Sequence, residues 1–281
     1  MKKLFASILA LSLCMAALLG VTACESTPED DKQTFTVATN CPFGMYEYLG
    51  DDGKIYGIDI EIAGLFAEEY NYNLVIKNID FDAIFTQVQQ GYADAGMAGI
   101  TVSEERKATY DFTNTYCKAS QKLIVLESNT DFDGATDVAS IEAVLAELVG
   151  KTIGYQTGTT GGMYVNGDED FGYTGFANIT GQGYDTAVTA VNDMKNGNVY
   201  AVIVDEGPAQ AIVNATEGVK LVDVKLTDEE YAFVLKKGNT ELQTKFNDFL
   251  AKIKEDGTYD KIEAKYYQDK GTKVGYTVSI D

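Results

Sequence analysis

Arg106 is the only arginine in a chain whose other cations are all lysines, and it lies in the stretch AGITVSEERK at residues 98–107. Its planar guanidinium can hold a carboxylate through two parallel hydrogen bonds, a geometry that lysine cannot reproduce. Thr101 can add a hydroxyl to the same oxygens. Alternatively, Arg106 forms a surface pair with Glu104 or Glu105, which is worth about 0–1 kcal/mol.

Later in the chain, TGTTGG at residues 157–162 forms a glycine-rich turn before a predicted helix, where free backbone N–H groups favour an anion. The turn contains Thr159 and Thr160 but lacks the lysine of a phosphate-binding loop. Asp205 ends an apolar strand. Its side chain either caps the following helix or accepts a hydrogen bond from a ligand's ammonium group. Together with Arg106, these residues offer partners for both charged groups of an α-amino acid.

Histidine is absent, which excludes Ser-His and Cys-His nucleophile pairs and histidine zinc sites. The stretch at residues 166–170 resembles a calcium loop, but Phe171 stands where the loop needs glycine. We therefore expect no catalytic residue, no metal and no cofactor. Cys41 and Cys117 either form a disulfide or remain separate, buried thiols.

The formal net charge of −21 makes nucleic acid and anionic lipid surfaces poor partners. Residues 1–23 have the charged start, short apolar core and small-residue end of a secretory signal. Val21-Thr22-Ala23-Cys24 resembles the lipobox of bacterial lipoproteins, which predicts lipidation of Cys24. Residues 24–33 then form a polar tether, and the lipid is the only expected contact with the membrane.

The remaining chain alternates strands and helices twice over, which predicts an α/β fold with two largely parallel sheets. We expect strands at residues 34–39, 93–98 and 122–127. Asp59 is expected at the N-cap of the first helix, and another helix is expected at residues 185–196. Ligands of such sheets bind beyond the carboxyl ends of the strands.

Several motifs in order resemble the bacterial extracellular solute-binding proteins of family 3, the amino-acid receptors of ABC importers. They are TFTVATNCPFGMYEY, DDGKIYGIDIEIAGLFAEE, AGITVSEER, TGTTG, YAVIVDEGPA and YAFVLKKGN. The resemblance implies a two-lobed, type II periplasmic-binding-protein-like fold with two doubly wound sheets joined by two crossing strands. The implied boundaries are 34–117 with 232–281 for lobe 1, 118–231 for lobe 2, and hinges near 117–121 and 229–233.

The resemblance also implies roles for individual residues. Thr101 and Arg106 would bind the α-carboxylate from lobe 1, beside the backbone of Gly99. Lobe 2 would supply Thr159 and Thr160 for the same carboxylate. Asp205 would bind the α-ammonium, and Phe43 and Phe81 would form aromatic walls beside the ligand.

Asn40 and Gln156 stand where some members of the family carry charged side chains. An uncharged lining favours a neutral and polar amino acid such as glutamine. The implied protein is a monomer that delivers its ligand to an ABC permease. The segments 129–148 and 168–176 look longer than is usual in the family and receive no role.

Two other functions fit the same fold. A prephenate or arogenate dehydratase would need a general acid in the cleft; the candidate is Glu47, which we expect to face solvent. A ligand-sensing domain for a signalling partner would use the same binding site.

Overall fold

The computed structural model describes residues 32–267 and 276–279. The predicted signal at residues 1–23 and the lipidation site Cys24 lie outside the described residues.

Within the described residues the chain forms fifteen strands and nine helices. The strands are β1 (Thr34–Thr39), β2 (Tyr48–Leu49), β3 (Lys54–Tyr56), β4 (Asn73–Asn78), β5 (Ala95–Gly96), β6 (Tyr110–Phe112), β7 (Cys117–Ala119), β8 (Gln121–Leu126), β9 (Thr152–Gln156), β10 (Thr180–Tyr184), β11 (Ala201–Asp205), β12 (Val219–Val222), β13 (Glu229–Tyr231), β14 (Val234–Lys236) and β15 (Tyr276–Ser279). The helices are α1 (Ile58–Glu69), α2 (Phe81–Gln90), α3 (Glu104–Thr109), α4 (Val138–Glu147), α5 (Thr160–Asn166), α6 (Ala187–Lys195), α7 (Glu206–Ala215), α8 (Thr240–Glu255) and α9 (Thr258–Tyr267).

The first of two large sheets defines lobe 1 and has the strand order β2-β3-β15-β4-β1-β5-β14-β6. Strand β1 lies at its centre, parallel to β4 and β5. The core on one face joins helix α1 to helix α8, where the rings of Phe66 and Phe246 stack with centroids 3.8 Å apart. The carboxyl ends of β1 and β5 therefore point the loops at Asn40 and Gly99 towards the same edge.

The second large sheet defines lobe 2, with the order β10-β9-β11-β8-β12. Strand β9 is parallel to β10 and β11, whereas β8 runs antiparallel to β11. Strand β11 is buried at all five positions, which explains its continuous apolar run. At their carboxyl ends, β9 and β11 place Gln156 and Asp205 at one edge of this sheet.

The lobes are joined by a separate two-stranded sheet in which β7 and β13 run antiparallel. Glu229 pairs with Ala119, and Tyr231 pairs with Cys117. Two α/β sheets and two crossing strands agree with the predicted architecture, but both sheets contain more antiparallel pairs than the sequence predicts.

One helix boundary is wrong in the sequence prediction: Asp59 is not the N-cap of helix α1. The helix begins at Ile58 after Gly57, whose φ is +140°. A side chain at Gly57 would place its Cβ 2.0 Å from the carbonyl oxygen of Tyr46, so only glycine fits this turn. Asp59 lies inside the helix and is fully buried.

Other predicted elements are present with shifted ends. The strand expected at 93–98 contains only Ala95–Gly96, and the strand expected at 122–127 is Gln121–Leu126. The helix expected at 185–196 begins at Ala187, because the Thr186 side chain accepts the N–H of Thr189 and caps the helix there.

The segments without a predicted role both pack into lobe 2. In segment 129–148, Phe132 is buried in one cluster with Ile141 and Leu145 of helix α4. In segment 168–176, Phe176 packs at the margin of that cluster. Both segments thus extend the core of lobe 2.

Candidate functional site

A small enclosed cavity lies where the strand ends of the two lobes meet, and eight of the ten residues expected at a ligand site line it. Its volume is about 10 Å³, room for about one water molecule and far less than an amino acid needs. The cleft is therefore closed in this structure. The lining residues are Phe43, Phe81, Gly99, Thr101 and Arg106 of lobe 1, and Thr159, Thr160 and Asp205 of lobe 2.

Arg106 is buried at the start of helix α3, with 7% of its surface exposed. The Ser103 hydroxyl caps the helix by accepting the Arg106 N–H. The guanidinium donates through Nη1 to the carbonyl of Thr101 at 2.6 Å and through Nη2 to the carbonyl of Gly158 in lobe 2 at 3.0 Å. Glu104 pairs with Lys107 instead, at 2.9 Å. The structure therefore contradicts the surface-pair interpretation of Arg106.

The environment of Arg106 keeps it charged although it is buried. Burial lowers the pKa of the guanidinium to about 10, opposed by the negative charges of Glu229, Glu105, Asp205 and Asp168. A cation held in a nearly dry cavity attracts a carboxylate more strongly than an exposed one does.

The Thr101 hydroxyl has a partner that sequence analysis missed. Its Oγ1 donates to Oε2 of Glu229 at 2.7 Å, and Gln121 Nε2 donates to the other oxygen at 3.2 Å. Glu229 lies on crossing strand β13 and is 5% exposed. A hydroxyl has one proton to donate, so Thr101 in this conformation offers a ligand only its acceptor lone pairs.

Asp205 occupies the N-cap position of helix α7 but makes no capping hydrogen bond. Its carboxylate instead accepts the hydroxyl of Tyr231 on β13 and faces the cavity. Burial and the nearby charge of Glu229 raise the pKa of Asp205 to about 7. A cation placed beside Asp205 would favour its ionised form.

The turn before helix α5 places Thr159 and Thr160 on the lobe 2 side of the cavity. Thr159 is the N-cap residue, and its hydroxyl donates to the carbonyl of Gln156 at 2.8 Å. Its side chain therefore closes the turn, and makes no hydrogen bond to the N–H groups of the helix.

Asn40 and Gln156 do not line the cavity but contact each other across the cleft. Gln156 Nε2 donates to Asn40 Oδ1 at 2.6 Å, and Asn40 Nδ2 donates to the carbonyl of Ile79 at 2.7 Å. The Oε1 of Gln156 is buried without a hydrogen-bond partner. Buried acceptors are normally hydrogen-bonded, so this oxygen is suited to a donor that the protein itself does not supply, such as one on a ligand.

Gly99 is required by both its conformation and its neighbours. Its φ is +55°, and a Cβ would lie 2.5 Å from the ring of Phe43. Its N–H donates to Oδ2 of Asp59 at 3.0 Å, and Tyr116 donates to the other oxygen at 2.7 Å. Asp59 thus positions the Gly99 backbone, a role whose only sequence signal is an acid among the buried residues Ile58, Ile60 and Ile62.

The candidate general acid Glu47 does not face solvent, so that expectation is wrong. It is the last residue of the loop 43–47 and is fully buried, and both of its carboxylate oxygens lack hydrogen-bond partners. Burial and the charge of Asp59 raise its pKa well above the ordinary value. Glu47 does not line the enclosed cavity.

Cys41 and Cys117 are free thiols in the structure. Tyr46 lies 3.3 Å from Cys117, oxygen to sulfur. Burial raises the pKa of the Cys41 thiol to about 12, so this cysteine is a poor nucleophile near neutral pH.

None of the helices among the described residues combines the length and apolar character needed to cross a bilayer.

Comparison with protein families agrees with this architecture. The model of the family described as bacterial extracellular solute-binding proteins, family 3, matches residues 35–269. A probable histidine-binding protein of Neisseria gonorrhoeae is 27% identical over 279 residues, which cover 96% of this chain and 97% of the relative.

Solved structures give the same result. An ancestral arginine-binding protein bound to glutamine is 32% identical with a TM-score of 0.73, covering 84% of this chain and 98% of that chain. An ancestral amino acid-binding protein, a precursor of cyclohexadienyl dehydratase, is 25% identical with a TM-score of 0.72, covering 83% of this chain and 95% of that chain. Relatives named for binding amino acids and a precursor of an enzyme thus share this fold.

Proposed function

The chain belongs to the bacterial extracellular solute-binding proteins of family 3, and on that premise we propose that it is an extracytoplasmic receptor that binds an α-amino acid between its lobes. The observation that carries the proposal is the cavity itself, which places one buried guanidinium and one buried carboxylate in the same enclosure. Arg106 is assigned the α-carboxylate and Asp205 the α-ammonium. Thr159 and Thr160 complete the contacts to the carboxylate, and Thr101 joins them once its hydroxyl turns away from Glu229. The backbone of Gly99 lies beside them, and Phe43 and Phe81 form apolar walls.

The ligand's side chain is proposed to be neutral and polar, as in glutamine. Asn40 and Gln156 meet across the cleft beside the cavity, and neither carries a charge. The free Oε1 of Gln156 accepts an N–H, which a side-chain amide supplies. Pairing a buried acceptor avoids a cost of about 1–3 kcal/mol, which favours ligands with such a donor.

Ligand binding is proposed to drive the lobes together. The closed cavity is too small to admit an amino acid, so entry requires the lobes to separate. Contacts divided between Arg106 on one lobe and Asp205 on the other form together only when the lobes close around the ligand, with more room between them than in this structure. The ligand shifts the equilibrium towards that closed state. An ABC permease then reads the closed shape, while a lipid on Cys24 retains the monomeric receptor at the cell membrane.

Catalysis is not part of the proposal. The candidate acid for a dehydratase, Glu47, is buried and does not line the cavity that contains Arg106. Incubation with prephenate should therefore yield no aromatic product, and formation of one would support the enzyme alternative.

A thermal-shift screen of the twenty standard amino acids tests the proposal. A ligand at 100 times its dissociation constant adds about 2.7 kcal/mol to the free energy of unfolding, which raises the melting temperature by several degrees. We expect the largest increase with glutamine. If no amino acid raises the melting temperature, the proposed function is wrong. If only arginine or only histidine raises it, the function stands and the assignment of a neutral, polar side chain is wrong.

A further inference from the structure

We propose that Phe171 is a positioning residue for the ligand carboxylate, acting through Arg106; this rests on the proposed function. Phe171 belongs to the 168–173 hairpin of lobe 2, part of a segment that the sequence left without a role. Its ring lies across the cleft, with its centroid 5.7 Å from the guanidinium carbon of Arg106.

The hairpin is a defined structure. The backbones of Asp168 and Tyr173 exchange two hydrogen bonds of 2.8 Å. The Asp168 carboxylate accepts the backbone N–H groups of Asp170 and Phe171 at 3.0 and 3.1 Å, which sets the direction of the ring. Gly172 has a φ of +78°, and the chain reverses there.

Aromatic contacts join the hairpin to the helix that carries Thr160. The ring of Phe171 stacks on Tyr173 with centroids 6.0 Å apart, and Tyr173 meets the buried Tyr164 of helix α5 edge to face at 5.3 Å. Helix α5 begins at Thr160 in the cavity wall. The position of Phe171 is therefore fixed relative to the lobe 2 side of the ligand site.

Phe171 completes an aromatic enclosure of the guanidinium. Lobe 1 supplies Phe85 and Phe81, with centroids 4.9 and 5.9 Å from the guanidinium carbon. Only Phe171 comes from lobe 2, so this third ring reaches Arg106 when the cleft closes. Cations are attracted to aromatic faces at such distances.

The ring also separates the guanidinium from water. Phe171 lines a solvent-open groove of about 1070 Å³, whereas Arg106 lines the inner cavity and not the groove. Removing the ring opens the guanidinium to the groove, and water there weakens its attraction for a carboxylate.

The acidic groups at the tip of the hairpin need a positive charge nearby. Oxygens of Glu105 on lobe 1 and of Asp168 and Asp170 on the hairpin lie within 4.8 Å of one another, and these like charges repel. The positive charge of Arg106, which Glu105 and Asp168 both stabilise, is the compensating group. The charge of Arg106 therefore offsets the repulsion between the hairpin tip and Glu105.

Titration calorimetry with L-glutamine and L-arginine on the full chain tests the proposal. We expect Phe171→Ala to bind the better of these amino acids about tenfold more weakly, through faster dissociation, because a cation–π contact is lost. Phe171→Tyr should bind like wild type. Phe171→Leu, which keeps water out but has no ring face, should lose part of the affinity that Phe171→Ala loses. Tyr92→Ala removes an aromatic ring that is 60% exposed elsewhere and is the matched control.

A double-mutant cycle separates positioning from a structural role. In an Arg106→Gln background, Phe171→Ala should cause less than a threefold further loss, because the cation that the ring faces is already gone. Equal losses in both backgrounds, or a Phe171→Leu protein that binds like wild type, would overturn the proposal. Wild-type binding with an unchanged Phe171→Ala protein rejects this inference alone, whereas a wild type that binds neither amino acid, and whose melting temperature rises with none of the twenty, rejects the proposed function as well.

Discussion

Gln156 of lobe 2 donates a hydrogen bond to Asn40 of lobe 1, with 2.6 Å between Nε2 and Oδ1. The two residues are 116 positions apart. They meet because Asn40 follows parallel strand β1 and Gln156 is the last residue of parallel strand β9, and both strands end at the cleft. The remaining oxygen of Gln156 has no partner. This pair is the structural basis for the predicted preference for a neutral, polar side chain.

Replacing Asn40 with aspartate should shift the preference towards basic amino acids. A carboxylate beside Gln156 favours a cationic side chain through a charge-assisted hydrogen bond, so the ratio of the affinities for arginine and glutamine should rise about tenfold. Calorimetric titration of both amino acids measures the ratio. Asn71→Asp adds the same charge on the exposed surface and should leave it unchanged; an equal effect of both variants would contradict the assignment.

Arg106→Lys should weaken binding about a hundredfold or more, while lowering the free energy of unfolding by only about 1–3 kcal/mol through the lost buried hydrogen bonds. Lysine cannot reproduce the two directed contacts of the guanidinium with Thr101 and Gly158 or grip a carboxylate with two parallel bonds. Binding and urea unfolding are measured on the same preparation. Lys107→Ala, which removes only an exposed pair with Glu104, is the control. A dissociation constant within about threefold of wild type would contradict the role of Arg106.

Ligand affinity should increase as the pH rises through 7. The pKa of Asp205 is about 7 without ligand, because burial and Glu229 disfavour its charged form. The ligand's ammonium pairs with the ionised carboxylate, so binding below pH 7 must first release a proton, and affinity should fall about tenfold per pH unit there. Calorimetry in buffers with different ionisation enthalpies detects the proton. Constant affinity between pH 5.5 and pH 8 would exclude this role for Asp205.

Gly44→Ala should impair closure specifically. Gly44 lies in lobe 1 with a φ of +58°, and an added Cβ would lie 2.8 Å from Cα of Pro208 in lobe 2. Gly53→Ala is the matched control, because Gly53 has a φ of +76° and open space around it. Both variants should lose similar stability from backbone strain, about 1 kcal/mol, but only Gly44→Ala should bind ligand at least tenfold more weakly. Equal affinities would show that this contact does not limit closure.

The buried carboxyl of Asp59 should make the unliganded protein less stable as the pH rises from 4 to 7. Burial raises its pKa from 3.8 to about 7. The stabilisation from the protonated form is complete at pH values below the pKa of Asp59 in the unfolded chain. It is lost as the pH rises towards the pKa in the folded protein, by about 1.4 kcal/mol per pH unit. Urea unfolding of wild type and Asp59→Asn at pH 4.5, 6 and 7.5 should show a difference in stability that changes in this direction.

Asp52 provides a control of opposite sign for the Asp59 experiment. Its exposed carboxylate accepts a hydrogen bond from Tyr56, which lowers its pKa. Its contribution is therefore present above the unfolded pKa and lost as the pH falls. A difference between wild type and Asp59→Asn that does not vary with pH would refute the assigned environment of Asp59.

The sequence by itself determined the alternation of strands and helices, and hence which residues follow strand ends. Parallel strands place their carboxyl ends at one edge, so the sequence alone predicts Gly99, Thr101, Arg106 and Asp205 near a ligand. The missing histidine likewise excluded whole classes of catalytic site from composition alone. These conclusions depend on local periodicity and residue chemistry, which can be recognised within short segments of the chain.

Only the tertiary structure decided which polar groups are buried together. Asp59 was expected at a helix cap and Glu47 in solvent, yet both are inside, because the loop 43–47 folds over the start of helix α1. Glu229 gave no signal of its own, since its neighbours in the chain are exposed or polar and its partners Thr101 and Gln121 are 128 and 108 residues away.

The contact of Phe171 with Arg106 was equally invisible in the sequence. It joins a hairpin of lobe 2 to a helix of lobe 1, and it depends on how far the lobes approach. Local propensity selects each element, but burial, charge pairing and the fit between lobes arise from contacts distant in the chain. The contacts between the lobes contribute energy only when the cleft is closed.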